Sequence, residues 1–146
     1  MDLDVDLDAP CSPEELYRWV DDLAEYPRWL EIVSRAESST ADDGQGRPAW
    51  SVDLRGRLGP LARSKRLRMV RTVHDGRTAR FERLELDGRA HSPWVLDATV
   101  EAAGDGARLT MHLHYGGGLF GPVIERVLRD EIDRSRGRLL ELVGTA

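Results

Sequence analysis

Four Asp-Gly dipeptides divide the middle of this chain, and they constrain its fold more than any other feature. They stand at 43–44, 75–76, 87–88 and 105–106, between runs in which apolar and polar residues alternate. Asp-Gly is a preferred pair in tight hairpin turns, and alternation is typical of strands with one buried face. We therefore predict seven strands, over residues 3–8, 31–39, 48–56, 62–74, 77–87, 93–103 and 107–116.

Helical segments follow the first and the last of these strands. Ser12-Pro13-Glu14-Glu15 is typical of a helix start, with Ser12 as the cap and Glu15 completing a capping box. This helical stretch runs to about Leu30 and is expected to break near Pro27, which gives two short helices. Residues 119–143 predict one long helix, because its apolar stripe recurs at spacings of three and four: Ile124, Leu128, Ile132, Ser135, Leu139 and Leu142. We predict one α+β domain over residues 1–146.

Two of the hairpins can be checked for register. If Asp105-Gly106 is a two-residue loop, Val100 faces Met111, and the apolar residues of both strands share one face. If Asp75-Gly76 is also such a loop, Arg71 faces Arg80.

That second register leaves three alternatives open. Arg71, Arg80 and Glu82 could form an inward charged cluster that orients a carboxylate or polarises a carbonyl. The same residues could belong to a solvated face. A slip of one residue would instead bring Phe81 and Arg83 inside.

The charge distribution raises nucleic-acid binding as a possibility and then argues against it. The chain carries a net charge of −5, with −10 over residues 1–43, +7 over 44–94 and −2 over 95–146. The basic residues of the middle segment alternate with apolar ones, as solvated strand faces do, so we expect no nucleic-acid partner. An interaction module that uses the basic strands 62–83 is a third reading of this segment.

Composition also limits the chemistry and the compartment. Cys11 is the only cysteine, which excludes an internal disulfide and a cysteine-based metal cluster. The acidic N-terminus does not resemble a secretory signal, and no apolar run approaches the ~18 residues of a membrane span. We expect a cytoplasmic protein with no integral membrane association, no metal and no cofactor. Of the four histidines, His112 and His114 are expected to face outward, and His91 is a candidate general acid or base.

The order of strand, two short helices, six strands and long terminal helix resembles the helix-grip fold of the START-like (SRPBCC) superfamily. The chain is similar to its polyketide cyclase/dehydrase and lipid-transport branch, most visibly in residues 9–29, which end in Tyr26-Pro27-Arg28-Trp29. The resemblance implies a curved seven-stranded antiparallel sheet wrapped around the C-terminal helix, with an apolar cavity between them. It places Tyr26 and Trp29 beside the cavity mouth, although they could equally anchor the short helices. It also makes 56–61 a candidate lid, although a plain hairpin connection is equally open.

Such a cavity predicts an intracellular binding or carrier protein for a small hydrophobic or amphipathic ligand, such as a lipid, a fatty acid or a polyketide. The alternative is a polyketide aromatase/cyclase, for which the candidate catalytic residues are Arg71, Glu82 and His91. Whether the chain is an enzyme stays open at this point. The candidate ligand-binding residues either line the cavity or form a packed core: Tyr26, Trp29, Trp50, Val52, Leu54, Leu67, Met69, Trp94, Leu96, Met111, Leu113, Tyr115, Leu128 and Ser135.

Overall fold

The computed structural model describes residues 2–39, 46–58, 61–116 and 121–144, without the side chains of 56–58, 61–63, 121–125, 127, 128 and 144. Seven strands, two α-helices and one 3₁₀-helix make up this part of the chain. In order they are β1 (Asp2–Ala9), α1 (Pro13–Tyr17), the 3₁₀-helix (Leu23–Arg28), β2 (Val33–Ser38), β3 (Ala49–Leu58), β4 (Leu61–His74), β5 (Thr78–Arg83), β6 (Trp94–Ala103), β7 (Gly106–Tyr115) and α2 (Gly121–Gly144).

The strands form one curled antiparallel sheet in the order β1-β7-β6-β5-β4-β3-β2. This confirms the predicted α+β architecture. Strands β1 and β2 are consecutive along the chain but lie at opposite edges of the sheet. The connection that carries α1 and the 3₁₀-helix must therefore cross the inner face, and its apolar side chains are buried there: Leu16, Tyr17, Trp19, Val20, Leu23 and Tyr26.

The two short helices form as predicted, but the break between them lies earlier than Pro27. Ser12 caps α1 by accepting the N–H of Glu15 at 3.2 Å. Asp22 then accepts the N–H of Ala24 at 2.9 Å and starts the 3₁₀-helix, in which Pro27 lies. The break therefore lies between the end of α1 and Asp22, whose side chain caps the next helix.

The β6–β7 hairpin keeps the predicted faces although its register differs by two. Val100 pairs with Leu109 and Ala98 with Met111, because the loop is Gly104-Asp105 rather than Asp105-Gly106. Gly104 has φ +57°, which suits the first position of a tight hairpin turn. An even shift leaves each side chain on its original face.

The β4–β5 pairing differs by one residue at Arg71, and the inward charged cluster of Arg71, Arg80 and Glu82, one of the three alternatives, does not form. Arg71 pairs with Phe81, and an irregularity separates it from Val73. The carboxylate of Asp75 accepts the N–H groups of Arg77 and Thr78, at 2.9 and 2.6 Å, in a wider turn beside which the pairing is shifted by two residues. The irregularity reduces this to a shift of one residue from Arg71 onward, and an odd shift exchanges the two faces. The one-residue slip is therefore the correct alternative, with Phe81 fully buried.

Aspartate and histidine side chains connect the edge strand β1 to β7 on the outer face. Nδ1 of His112 lies 2.6 Å from Asp4, its Nε2 lies 3.0 Å from Asp2, and His114 also contacts Asp2 at 3.0 Å. The hydrogen bond with Asp4 raises the pKa of His112, burial opposes this, and the charges of Asp4 and Asp2 raise it further. The outward orientation predicted for both histidines is what the structure shows.

We expect a His112→Gln variant to be less stable than the wild type in acid and equally stable in base. The folded-state pKa of His112 lies above its ordinary value of 6.5, so the protonated ring stabilises the fold below pH 6.5. That contribution is lost as the pH rises through the raised pKa. Urea unfolding between about pH 5 and pH 9 measures the difference, with the aspartates ionised throughout.

The matched control is Glu101→Gln, which removes an outer-face carboxylate paired with Arg77 and involves no histidine. Its effect on stability should stay constant over the same pH range. A His112→Gln difference that grows with pH would contradict the assignment.

Two glycine variants should change stability in opposite directions. A Cβ on Gly106 would lie 2.3 Å from the carbonyl oxygen of Ala9, whereas a Cβ on Gly137 in α2 would meet nothing within 4 Å. We expect Gly106→Ala to destabilise the fold by about 2 kcal/mol or more, since backbone must move. Gly137→Ala should stabilise it by about 0.5–1 kcal/mol through helix propensity. Urea denaturation of both variants measures the two effects, and equal effects would contradict this description.

Candidate ligand cavity

A cavity of about 100 Å³ lies between the inner face of the sheet, the 3₁₀-helix with the segment after it, and α2. Its wall is apolar throughout the described part of the chain. The lining side chains are Leu3, Val5, Leu23, Tyr26, Trp29, Leu30, Ile32, Val33, Val52, Leu54, Leu67, Met69, Trp94, Leu96, Met111, Leu113 and Ile132.

The strand residues of this wall come in alternating pairs, because every second side chain of a strand faces the same side. Val52 lies opposite Leu67 across β3 and β4, and Leu96 lies opposite Leu113 across β6 and β7. Strand β1 adds Leu3, which lies opposite Leu113. The cavity wall is thus a direct product of strand register.

The polar groups of two aromatic side chains in the wall donate hydrogen bonds to backbone carbonyls of the protein. The hydroxyl of Tyr26 donates to the carbonyl of Val20 at 2.8 Å, and the indole N–H of Trp29 donates to the carbonyl of Trp19 at 3.0 Å. Burial raises the pKa of Tyr26 well above its ordinary value, so this phenol stays neutral. These residues present only ring surface to the cavity, and they also fix the 3₁₀-helix.

Beyond one end of the wall, at Trp94, polar side chains lie on the inner face of the sheet. The ring of Trp94 stacks on that of Tyr115 with centroids 5.1 Å apart, and the ammonium of Lys65 lies 5.7 Å from the Trp94 ring centre. Arg83 is nearby with a side chain only 9% exposed, and it pairs with Glu85 at 2.9 Å.

Polar groups on α2 bind one another and the adjacent segment. Ser135 is buried, donates to the carbonyl of Glu131 at 2.8 Å and accepts the N–H of Glu31 at 3.4 Å. Burial raises the pKa of the Glu131 carboxyl, Arg134 lowers it, and Glu31 raises it. Ser135 thus joins α2 to the segment that precedes β2.

Ten of the predicted ligand-binding residues line this cavity: Tyr26, Trp29, Val52, Leu54, Leu67, Met69, Trp94, Leu96, Met111 and Leu113. Trp50 packs edge-on against Phe81 instead, with ring centres 5.6 Å apart. Tyr115 stacks behind Trp94, and Ser135 lies in the helix interface. The side chain of Leu128 is outside those that the structure describes.

Sequence reasoning missed seven lining residues, of which three belong to recognised patterns. Leu3 and Val5 alternate in β1, but only the pairing of β1 with β7 turns them toward the cavity. Ile132 belongs to the helix stripe already recognised. The remaining four lie at the start of the 3₁₀-helix, between it and β2, or at the first residue of β2, where sequence reasoning assigned no face: Leu23, Leu30, Ile32 and Val33.

The three candidate catalytic residues do not line the cavity. Arg71 donates to the carbonyl of Asp21 at 2.8 Å and lies over the ring of Trp50. Glu82 pairs with Val70 on the face opposite Phe81. His91 contacts Asp87 at 2.8 Å and Arg83 at 3.3 Å, so both ring nitrogens are engaged.

Three further expectations concern metal sites, the candidate lid and membrane-spanning helices. Within the described residues, no group of three or more His, Cys, Asp or Glu side chains is arranged to hold a metal ion. The candidate lid at 56–61 falls largely outside the description: strands β3 and β4 reach Leu58 and Leu61, and residues 59–60 are not described. None of the described helices is long and apolar enough to cross a membrane.

Similar solved structures share this fold over nearly the whole chain. A protein from Thermus thermophilus, TTHA0849, superimposes with a TM-score of 0.74 at 18% identity, covering 99% of this chain and 98% of that one. A START superfamily protein from Mycobacterium smegmatis gives 0.72 at 15% identity, covering 99% and 97%. The di-domain ARO/CYC StfQ of the steffimycin biosynthetic pathway gives 0.64 at 13% identity, covering 97% of this chain and 48% of that one.

At these identities the structures establish the helix-grip fold alone. No functionally curated protein matches the sequence. A family match is the stronger finding, because it extends over residues 2–144 and carries the description polyketide cyclase/dehydrase and lipid transport. The sequence order, the curled sheet and this match agree, and the chain belongs to the polyketide cyclase/dehydrase and lipid transport family of the START-like (SRPBCC) superfamily.

Proposed function

We propose that this protein is a cytoplasmic binding or carrier protein that holds a small hydrophobic or amphipathic molecule between its sheet and α2. The single observation that carries this proposal is the apolar cavity, whose strand residues come from six different strands. Burial of a ligand's apolar surface there contributes about 25 cal/mol per Å², and no polar wall group opposes it.

The empty space itself supports a binding role. Core cavities cost roughly 24 cal/mol per Å³, so about 100 Å³ of empty space costs roughly 2 kcal/mol of stability. Larger side chains on the inner face would remove that cost. A cavity of about this size admits one ring or a short alkyl chain as it stands, and Met69 and Met111 in its wall have flexible side chains that can move aside for a longer chain or for a fluorophore with more than one ring.

An aromatase/cyclase would require groups that move protons at a polyketide chain inside the cavity. Among the described lining residues Tyr26 alone is titratable, and its hydroxyl donates to Val20. The likeness to an aromatase/cyclase concerns the fold. The cavity wall therefore supports binding more strongly than catalysis.

We expect Val52→Phe to weaken binding of a neutral apolar fluorophore, N-phenyl-1-naphthylamine, by at least about tenfold. Val52 is buried in the wall, and a phenyl ring there occupies space that the ligand needs. The substitution costs about 1–3 kcal/mol of stability, which a urea titration can verify before affinity is compared. Fluorescence titration gives the affinities, and native mass spectrometry of the wild type from cells should show an apolar ligand that the variant lacks.

Val95→Phe is the matched control, since Val95 lies on the outer face of β6 opposite Glu82 and His114. It should bind the fluorophore as the wild type does. Equal affinity of Val52→Phe and the wild type would place the fluorophore outside this cavity and overturn the proposal.

A further inference from the structure

A lysine on the inner face of the sheet lies beside one end of the cavity, next to residues that line it. Lys65 pairs with Leu54 across β3 and β4, and it precedes Leu67 by two residues, so it shares the inner face with both. Leu54 and Leu67 line the cavity. Lys65 is also the only lysine of the chain.

This ammonium has no anionic partner among the described residues, where no carboxylate lies within ion-pair distance of it. The nearest acidic group is already engaged, because Glu85 pairs with Arg83 at 2.9 Å and accepts the N–H of Arg68 at 3.0 Å. Burial lowers the pKa of Lys65 and the charge of Arg83 lowers it further, while Glu85 raises it. The inner face therefore carries two cations and one anion at this end.

A second polar group at the same place also has no partner. Trp94 lines the cavity and is 8% exposed, and its indole N–H is buried without an acceptor in the described part of the chain. The great majority of buried N–H groups in proteins donate to an acceptor, because burying one without an acceptor is costly. Lys65 lies over the ring of this same residue.

We propose that the ligand of this cavity is an amphipathic monocarboxylate, whose apolar part lies against the cavity wall and whose carboxylate binds Lys65 and the indole N–H of Trp94. The inference rests on the proposed binding function and names its ligand class. A carboxylate supplies the negative charge that Lys65 lacks and the acceptor that Trp94 lacks. A neutral alcohol supplies only the acceptor, and an alkylammonium adds a third cation beside Lys65 and Arg83.

The test compares ligands that share one chain and differ in the head group. Octanoate, octan-1-ol and octylammonium displace N-phenyl-1-naphthylamine from the full-length protein at neutral pH, where octanoate is ionised. We expect the wild type to prefer octanoate over octan-1-ol by about tenfold to a hundredfold, the range of a charge-assisted hydrogen bond. Octylammonium should bind more weakly than either.

Lys65→Met keeps the aliphatic stem and removes the charge, so it should abolish the preference for octanoate while its affinity for octan-1-ol stays unchanged. Trp94→Phe keeps a ring and removes the N–H, and it should reduce the preference in part. The matched control is Arg66→Met, the next residue on the outer face, whose guanidinium pairs with Asp53 at 2.7 Å. This variant should retain the full preference.

A single lysine gives a direct readout in the unmodified protein. With lysine labelled by ¹³C and ¹⁵N, the only side-chain signal is that of Lys65, and octanoate should raise the pKa measured from it. Octan-1-ol should not raise it. This measurement does not depend on whether a variant folds.

Equal affinities for octanoate and octan-1-ol in the wild type would overturn the inference and leave the binding function intact. A preference that persists in Lys65→Met, or a Lys65 signal indifferent to octanoate, would also overturn it. Failure of the fluorophore and of all three ligands to bind would overturn the proposed function itself.

Discussion

A curled sheet of seven strands presents an inner face that one helix cannot cover. Neighbouring strands lie about 4.8 Å apart, so seven strands span roughly 29 Å, whereas a helix with its side chains is about 10 Å wide. Helix α2 covers part of this face, and the segment from α1 through the 3₁₀-helix covers another part because it must pass from one sheet edge to the other. The cavity is the space that these two covers leave between them.

Charged side chains are paired differently on the two faces of the sheet. On the outer face, arginines pair with carboxylates across neighbouring strands, as in Arg66–Asp53, Arg80–Asp97 and Arg108–Asp8. Such exposed pairs contribute little to stability. On the inner face Arg83 pairs with Glu85, while Lys65 has no carboxylate within ion-pair distance among the described residues. Partial burial strengthens electrostatic interactions there. The charged residues of the outer face are therefore paired and solvent-exposed, while those of the inner face are placed where they can select a ligand.

Membership of the family does not by itself assign an activity, because one fold can host many functions. The apolar wall of this chain's own cavity is what supports binding. The polar groups of Tyr26 and Trp29 in this wall are satisfied by backbone carbonyls. The residues that sequence reasoning offered for catalysis are engaged elsewhere, Arg71 with Asp21 and His91 with Asp87.

Much of the architecture could be predicted from the sequence, since strand alternation and helix periodicity are local patterns. The β6–β7 faces were predicted correctly although the loop position was wrong, because the error of two residues preserves the side-chain phase. The β4–β5 faces could not be predicted, since an irregularity between Arg71 and Val73 changes the even shift at the turn into a shift of one residue.

The sequence by itself determined the seven strands, the long helix and ten of the residues around the cavity. Only the tertiary structure decided which edge β1 occupies, and hence that Leu3 and Val5 join the cavity wall. It also brought Lys65 of β4 over Trp94 of β6, two strands away, through the curl of the sheet and the reach of a lysine side chain. Contacts between distant strands depend on register and curvature, which no local pattern encodes.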